Sequence, residues 1–125
     1  MDKKVITTYR KAFHYYTISE KYIAGIVLTG TEIKSIRKNA INLKDSFCKI
    51  EDNEIFLYNC HISPYEQGNR YNHKAERTRK LLLTKKEILK MHSKIKKDGY
   101  TIVPLEVFIQ KGLAKVEIGL AKGKK

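Results

Sequence analysis

The 125-residue chain is long enough for one domain with one hydrophobic core, without disulfide or metal staples. Its 26 Lys and Arg against 13 Asp and Glu leave a formal net charge of +13, far more than solubility requires, which implies a polyanionic partner. No apolar run could span a bilayer, the start Met-Asp-Lys-Lys lacks the apolar stretch of a secretory signal, and the charge is not gathered on one amphipathic helix; an intracellular, cytoplasmic nucleic-acid binder is expected, not a membrane protein.

Residues 1 to 12 are polar and basic with little periodicity and read as a flexible arm, leaving 13 to 125 as the single folded domain. From Phe13 to Leu28 a β-rich stretch reads as one long strand or two, with Gly25 marking a bulge or bend. Thr29 stands three before Glu32, a capping-box spacing, and Ile33 and Ile36 give a short helix that ends near Asn39. Two strands, Ser46 to Glu51 and Glu54 to Ile62, should meet in a hairpin at Asp52-Asn53. Pro64 ends that ladder, and Ser63 to Lys80 reads as a long loop.

Thr84 and Glu87 repeat the capping-box spacing. Ile88, Met91, His92 and Ile95 then mark the main helix, which Gly99 stops. Val103, Leu105, Val107 and Ile109 alternate, as do Ala114, Val116, Ile118 and Leu120, so the last two strands should pair around Lys111-Gly112. Pro104 implies an edge position or a bulge. The expected fold is mainly β with short helices (α+β): a small, partly open OB-type Greek-key β-barrel with two to three helices.

Arg70, Lys74, Arg77, Arg79 and Lys80 are interleaved with Tyr65, Tyr71 and His73, a mixture able to neutralise phosphates and stack on unpaired bases. The plainer alternative is a charged loop facing water. Lys86, Lys90, Lys94 and Lys97 fit a phosphate-binding face and the solvent side of the main helix equally well, whereas Glu32, Lys34 and Arg37 alone read as a solvated face. Cys48 and Cys60 read as free thiols of a reducing compartment, and Cys60-His61 offers only two of the four ligands zinc wants. Nucleotide-binding, nucleophile-elbow and zinc-protease motifs are absent, and His14, His61, His73 and His92 show no converging spacing. No catalytic activity, cofactor, metal or small-molecule substrate is expected. The alternatives kept open are a generic single-stranded-RNA-binding OB module, which would rely on stacked aromatics, and a small ribonuclease, which would need a positioned acid and base.

Several longer motifs occur in order: Ala24-Gly-Ile-Val-Leu-Thr-Gly-Thr-Glu-Ile-Lys-Ser-Ile-Arg37, Asn42-Leu-Lys-Asp-Ser-Phe47, His61-Ile-Ser-Pro-Tyr-Glu66, Arg77-Thr-Arg-Lys-Leu-Leu-Leu83, Val103-Pro-Leu105 and Lys115-Val-Glu-Ile-Gly-Leu-Ala-Lys-Gly-Lys-Lys125. From about Tyr9 to the last residue the chain resembles the SsrA-binding protein family, small protein B. The resemblance implies a non-enzymatic factor that binds the tRNA-like domain of transfer-messenger RNA and accompanies it to stalled ribosomes for trans-translation. A monomer is expected. It also implies an RNA surface built from Tyr22, Ala24, Gly25, Gly30, Thr31, Glu32, Lys34, Ser35, Arg37 and Asn42, with Arg77, Arg79, Lys80, Leu82, Leu83, Lys115, Lys122, Lys124 and Lys125. His14, Lys124 and Lys125 are the candidates for the ribosome-facing side.

Ile23 stands where the family usually has a glutamate, Lys74-Ala75 replaces a common Asp-Pro, and Thr84 replaces a His or Asn. Relatives continue past Gly-Lys-Lys with a long basic tail that enters the empty mRNA path. This sequence ends at Lys125, from which the expectation is RNA binding without efficient tagging.

Overall fold

The computed structural model describes residues 3–67 and 72–124; of the residues singled out above, Arg70, Tyr71 and Lys125 lie outside them, as does the stretch 68–71 of the expected long loop. The chain opens with β1 (Lys3–Thr8), which pairs antiparallel with β8 (Thr101–Gln110), matching Val5 to Phe108 and Thr7 to Val107. Residues 3 to 12 are therefore not the flexible arm expected. Ile6 packs against the core, the Tyr9 N–H donates to the Leu105 carbonyl at 2.7 Å, and Lys3 reaches Glu106 at 2.8 Å. The strand's basic residues face water, and its partner lies about a hundred residues away, so nothing local announces it.

A one-and-a-half-turn helix, α1 (Lys11–Tyr15), buries Ala12 and leads into β2 (Tyr16–Ile26). β2 is one strand, and its irregularity falls between Ile18 and Glu20 rather than at Gly25. The Thr29 capping box forms as expected and starts α2 (Gly30–Arg37), which ends at Lys38 before Asn39 turns left-handed at φ 62°. β3 (Ile41–Asn42) pairs with β6 (His61–Ile62). Between them β4 (Phe47–Glu51) and β5 (Glu54–Tyr58) form the hairpin, with Asp52 and Asn53 at φ 51° and 63°, the positive angles a two-residue I′ turn requires. What read as the end of the long loop is a strand, β7 (Arg79–Leu82). α3 (Lys85–Asp98) has the second capping box and stops at Gly99, φ 72°. β8 and β9 (Leu113–Gly123) close the chain through Lys111 and Gly112 at φ 53° and 75°.

The pairings run β8–β4–β5–β7–β2–β9 and return to β8, so six antiparallel strands form a closed, barrel-like sheet, and β1 extends it alongside β8. The OB-type order is the β4–β5–β7 meander, then α3, then the β8–β9 hairpin; β2 enters between β7 and β9 as a sixth member. The seam between β4 and β8 rests on one pairing, Cys48 with Ile102.

Inside the ring, Ile55, Leu57, Leu81, Ile102, Val107, Val116, Ile118 and Leu120 are fully or almost fully buried, joined by Ile36 of α2 and Met91 of α3. A smaller core of Ala12, Val103, Leu105 and Ala121 lies where α1 covers the outside of β8 and β9. Pro104 explains the split: a register shift between Pro104 and Glu106 turns Val103 and Leu105 to the outer core while Val107 and Ile109 serve the inner one. The even alternation read across those four residues is thus broken by a bulge. Pro104 lies inside the sheet, paired with Ile118, not on an edge. No described helix is long and apolar enough to cross a membrane. Because Ile118 is completely enclosed, Ile118→Ala should cost about 2–5 kcal/mol of unfolding free energy in urea titrations; a loss below 1 kcal/mol would mean the ring interior is not packed as described.

Candidate nucleic-acid interface

Glu32 sits at the third helical position of α2 because the Thr29 cap needs it there: its Oε1 accepts the Thr29 backbone N–H at 2.8 Å. The same carboxylate, fully enclosed, accepts from Arg77 Nη2 at 2.6 Å and from Arg79 Nε at 2.7 Å. Arg79 is itself completely buried; its guanidinium also donates to the carbonyls of Cys60 at 2.6 Å and Ala75 at 3.0 Å. Burial alone would push the Glu32 carboxyl upward, and this is the largest single influence, but Arg77, the Thr29 N–H and Arg79 together outweigh it and hold the group at about 2. One carboxylate thereby ties α2, β7 and the segment before β7 into one piece.

This arrangement corrects four of the expected contact residues. Glu32, Arg79, Ser35 and Ala24 are all buried and cannot touch a partner. Arg79 alternates with Leu81 on the inner side of β7, and the Ser35 hydroxyl donates to the Ser63 carbonyl at 2.6 Å. They position the surface rather than form it.

The outer side of β2 and β7 presents others of the expected residues to solvent. Since Ala24 points inward, Ile23, Gly25 and Val27 point outward by alternation, and Ile23 and Val27 are 53% and 44% exposed. Gly25 pairs with Leu82 on one side and Lys115 on the other. Leu82, 53% exposed, lies over the glycine so closely that an added Cβ would meet it at 3.4 Å. Leu83 is half-buried against the core. Next to this apolar row stand Lys115 of β9, paired with Gly25, and Arg77, half-buried, which donates to the Val27 carbonyl at 3.2 Å; Lys34 and Arg37 are exposed on α2. Within the described residues Lys34, Arg37 and Lys115 make no ion pair. Lys80 is engaged by Glu54.

The remaining candidates are placed elsewhere. The Thr31 hydroxyl faces His73 Nδ1 at 2.9 Å; the Ile62 carbonyl, 2.8 Å from His73 Nε2, can only accept, so Nε2 carries the hydrogen. Gly30 is exposed at the first turn, and Asn42 accepts the Lys44 N–H at 2.8 Å. Tyr22 is half-buried, its hydroxyl donates to Glu20, and burial foremost pushes it up to about 12. His14, Lys122 and Lys124 gather at the far end of β2. There the Lys124 N–H donates to the Tyr15 carbonyl at 2.8 Å, Lys122 lies over the Tyr100 ring at 4.7 Å, and His14 stands edge-on to Tyr15 at 5.2 Å. The eleven residues of β2 separate the two groups by roughly 30 Å. On α3, Lys90 and Lys94 are both spent on Glu20 of β2. Val27 was not singled out in the sequence, although its spacing from Gly25 carries the signal. Cys48 and Cys60 are buried free thiols, and burial pushes Cys60 up to about 11 and Cys48 further still. No cluster of three metal-binding side chains exists among the described residues.

The family model described as SmpB protein matches residues 6–125. The SsrA-binding protein of Geobacillus kaustophilus is 62% identical over 122 residues, covering 98% of this chain and 79% of that protein. That of Sulfurihydrogenibium sp. is 60% identical over 124 residues, covering 99% and 82%. A solved chain described as "tmRNA-SmpB: a journey to the center of the bacterial ribosome" is 45% identical and superposes with a TM-score of 0.78, over 95% of this chain and 84% of that one.

The folded Glu32 carboxyl ionises at about 2, against an ordinary 4.5, so its stabilisation is complete above pH 4.5 and drains away as the pH falls toward 2. Removing the carboxylate by Glu32→Ala strands Arg79 in the interior and should cost about 3–5 kcal/mol at pH 7. For Glu32→Gln, the stability gap to the parent protein should shrink between pH 4.5 and 2 in denaturant titrations. A gap that stays constant across that window would contradict the assignment.

Proposed function

The chain belongs to the SmpB family of SsrA-binding proteins, and on that premise we propose that it binds the tRNA-like domain of transfer-messenger RNA and accompanies it to stalled ribosomes for trans-translation. The observation that carries this reading is the outer row Ile23–Gly25–Val27–Leu82 with Lys115 beside it, together with Lys34 and Arg37 exposed on α2, cations that make no ion pair among the described residues. Cations without internal carboxylates hold phosphates. The hydrogen at Gly25 leaves room for the Leu82 side chain to lie over it, and exposed apolar groups pack on splayed bases or sugars. Because the cradle is held rigid from behind by Glu32 and Arg79, it recognises the shape of a folded RNA more than its sequence. The far end of β2, with His14 and Lys124, faces the ribosome in this reading.

A binding role rather than bond breaking fits the histidines. His73 is held between Thr31 and the Ile62 carbonyl, and His61 leans on Glu76 at 3.6 Å. The protein works in the cytoplasm, where its ribosomal partner is.

Titration with a folded tRNA-like RNA should give saturable binding whose affinity falls steeply with salt, with no shortening of the RNA. Binding no tighter than that of a lysine-rich polypeptide of equal charge, or preference for an unstructured RNA, would refute the proposal. Lys34→Ala and Lys115→Gln should each reduce the salt slope by about one released counterion. Arg79→Ala, by contrast, should act through lost stability, with any surviving folded protein keeping the parent slope.

A further inference from the structure

The motif His61–Glu66 leaves one aromatic residue without a role in the surface described above. Tyr65 lies in no strand, yet both of its backbone polar groups are taken by one side chain: its N–H donates to Asn72 Oδ1 at 3.0 Å, and its carbonyl accepts from Asn72 Nδ2. The residue is therefore fixed much as a strand residue would be, with its entropy cost already met before any partner arrives.

Two ammonium groups share its ring. Lys34 Nζ is 5.5 Å and Lys38 Nζ 5.1 Å from the ring centroid, both brought there by their four-residue spacing along and just past α2. Like charges at that spacing repel, and among the described residues neither lysine makes an ion pair. The ring quadrupole attracts a cation without neutralising it, so the cluster keeps its full positive charge. The carboxylate nearest Tyr65 in sequence, Glu66, makes no ion pair with either lysine among the described residues, so an anion from outside is what the arrangement lacks.

Beside the ring is a cavity of about 230 Å³, lined by Ser35, Lys38, Ser63, Pro64, Tyr65 and Glu66 among others. It falls below the range of about 300–1,000 Å³ usual for pockets that enclose a whole small ligand. A single planar base fits such a space if its sugar and phosphate stay outside, against the lysines. An apolar peptide side chain would leave both charges unanswered.

We propose that Tyr65, Lys34 and Lys38 form a subsite for one unpaired nucleotide of RNA, with the base against the Tyr65 ring and its flanking phosphate on the two ammonium groups. The inference rests on RNA being the partner, and adds a base-stacking contact on the side of α2 marked by Lys38, apart from the Gly25–Leu82 row. Stacking on an aromatic residue is tolerant of base identity, so the subsite registers that a nucleotide is unpaired rather than which one it is.

The test uses the full chain and a folded tRNA-like RNA carrying 4-thiouridine at its unpaired positions. Irradiation should give an adduct on the peptide containing Tyr65, and Tyr65→Ala should weaken binding about 5- to 100-fold while Tyr65→Phe stays within about twofold of the parent. Lys38→Gln, which keeps the ring, should lower the salt slope by about one, and covers the case in which Tyr65→Ala fails to fold. Parent-like binding by a folded Tyr65→Ala protein, or an unchanged slope for Lys38→Gln, would overturn the subsite and leave RNA recognition itself intact. Failure of the parent protein to bind the RNA would remove both.

Discussion

The Glu32–Arg79 pair is the constraint on which the rest of the binding end depends. Two opposite charges taken wholly out of water are tolerable only when every donor and acceptor around them is answered, and here each is. The carboxylate takes Arg77, Arg79 and the Thr29 N–H, and the Arg79 guanidinium takes the Cys60 and Ala75 carbonyls as well. Replacement by well-packed apolar residues could be neutral for stability alone. What apolar packing would lack is direction: the pair fixes the angle between α2 and β7, and so where Lys34, Arg37 and Leu82 stand relative to Gly25.

The distribution of charge follows from this division between inside and outside. Of the chain's many cations, several are already answered internally: Lys90 and Lys94 by Glu20, Lys80 by Glu54, Lys3 by Glu106. Among the described residues the excess lies on cations that make no ion pair, Lys34 and Arg37 of α2, Lys115 of β9 and Lys122 and Lys124 near the end of β2 among them, and these remain open to a polyanion.

What was legible in the sequence was local. Both capping boxes formed because a threonine and a glutamate three apart satisfy each other's backbone whatever surrounds them, and Asp52-Asn53 and Lys111-Gly112 turned where their left-handed preference placed them. β1 was not legible, since its partner β8 is supplied by the far end of the chain and its own composition reads as a solvated tail. Arg79 is the more instructive miss. The run Arg79-Lys80-Leu81-Leu82 puts Arg79 on the same side as the buried Leu81 and sends Leu82 outward, so strict alternation already contains the answer. It was obscured because an arginine inside and a leucine outside invert the usual rule, and only the presence of Glu32 behind the strand makes the inversion affordable.

β2 connects the two ends of the molecule, paired with β9 along nearly its whole length and with β7 at Gly25 and Ile26. Its single irregularity, between Ile18 and Glu20, already sets the phase that turns Ala24 in and Ile23 and Gly25 out. One residue gained or lost between that point and Gly25 would rotate the whole outward-facing row into the core and bring buried side chains into water. Evolution can therefore lengthen the turns of this protein, but it can resize this strand only by changing two residues together.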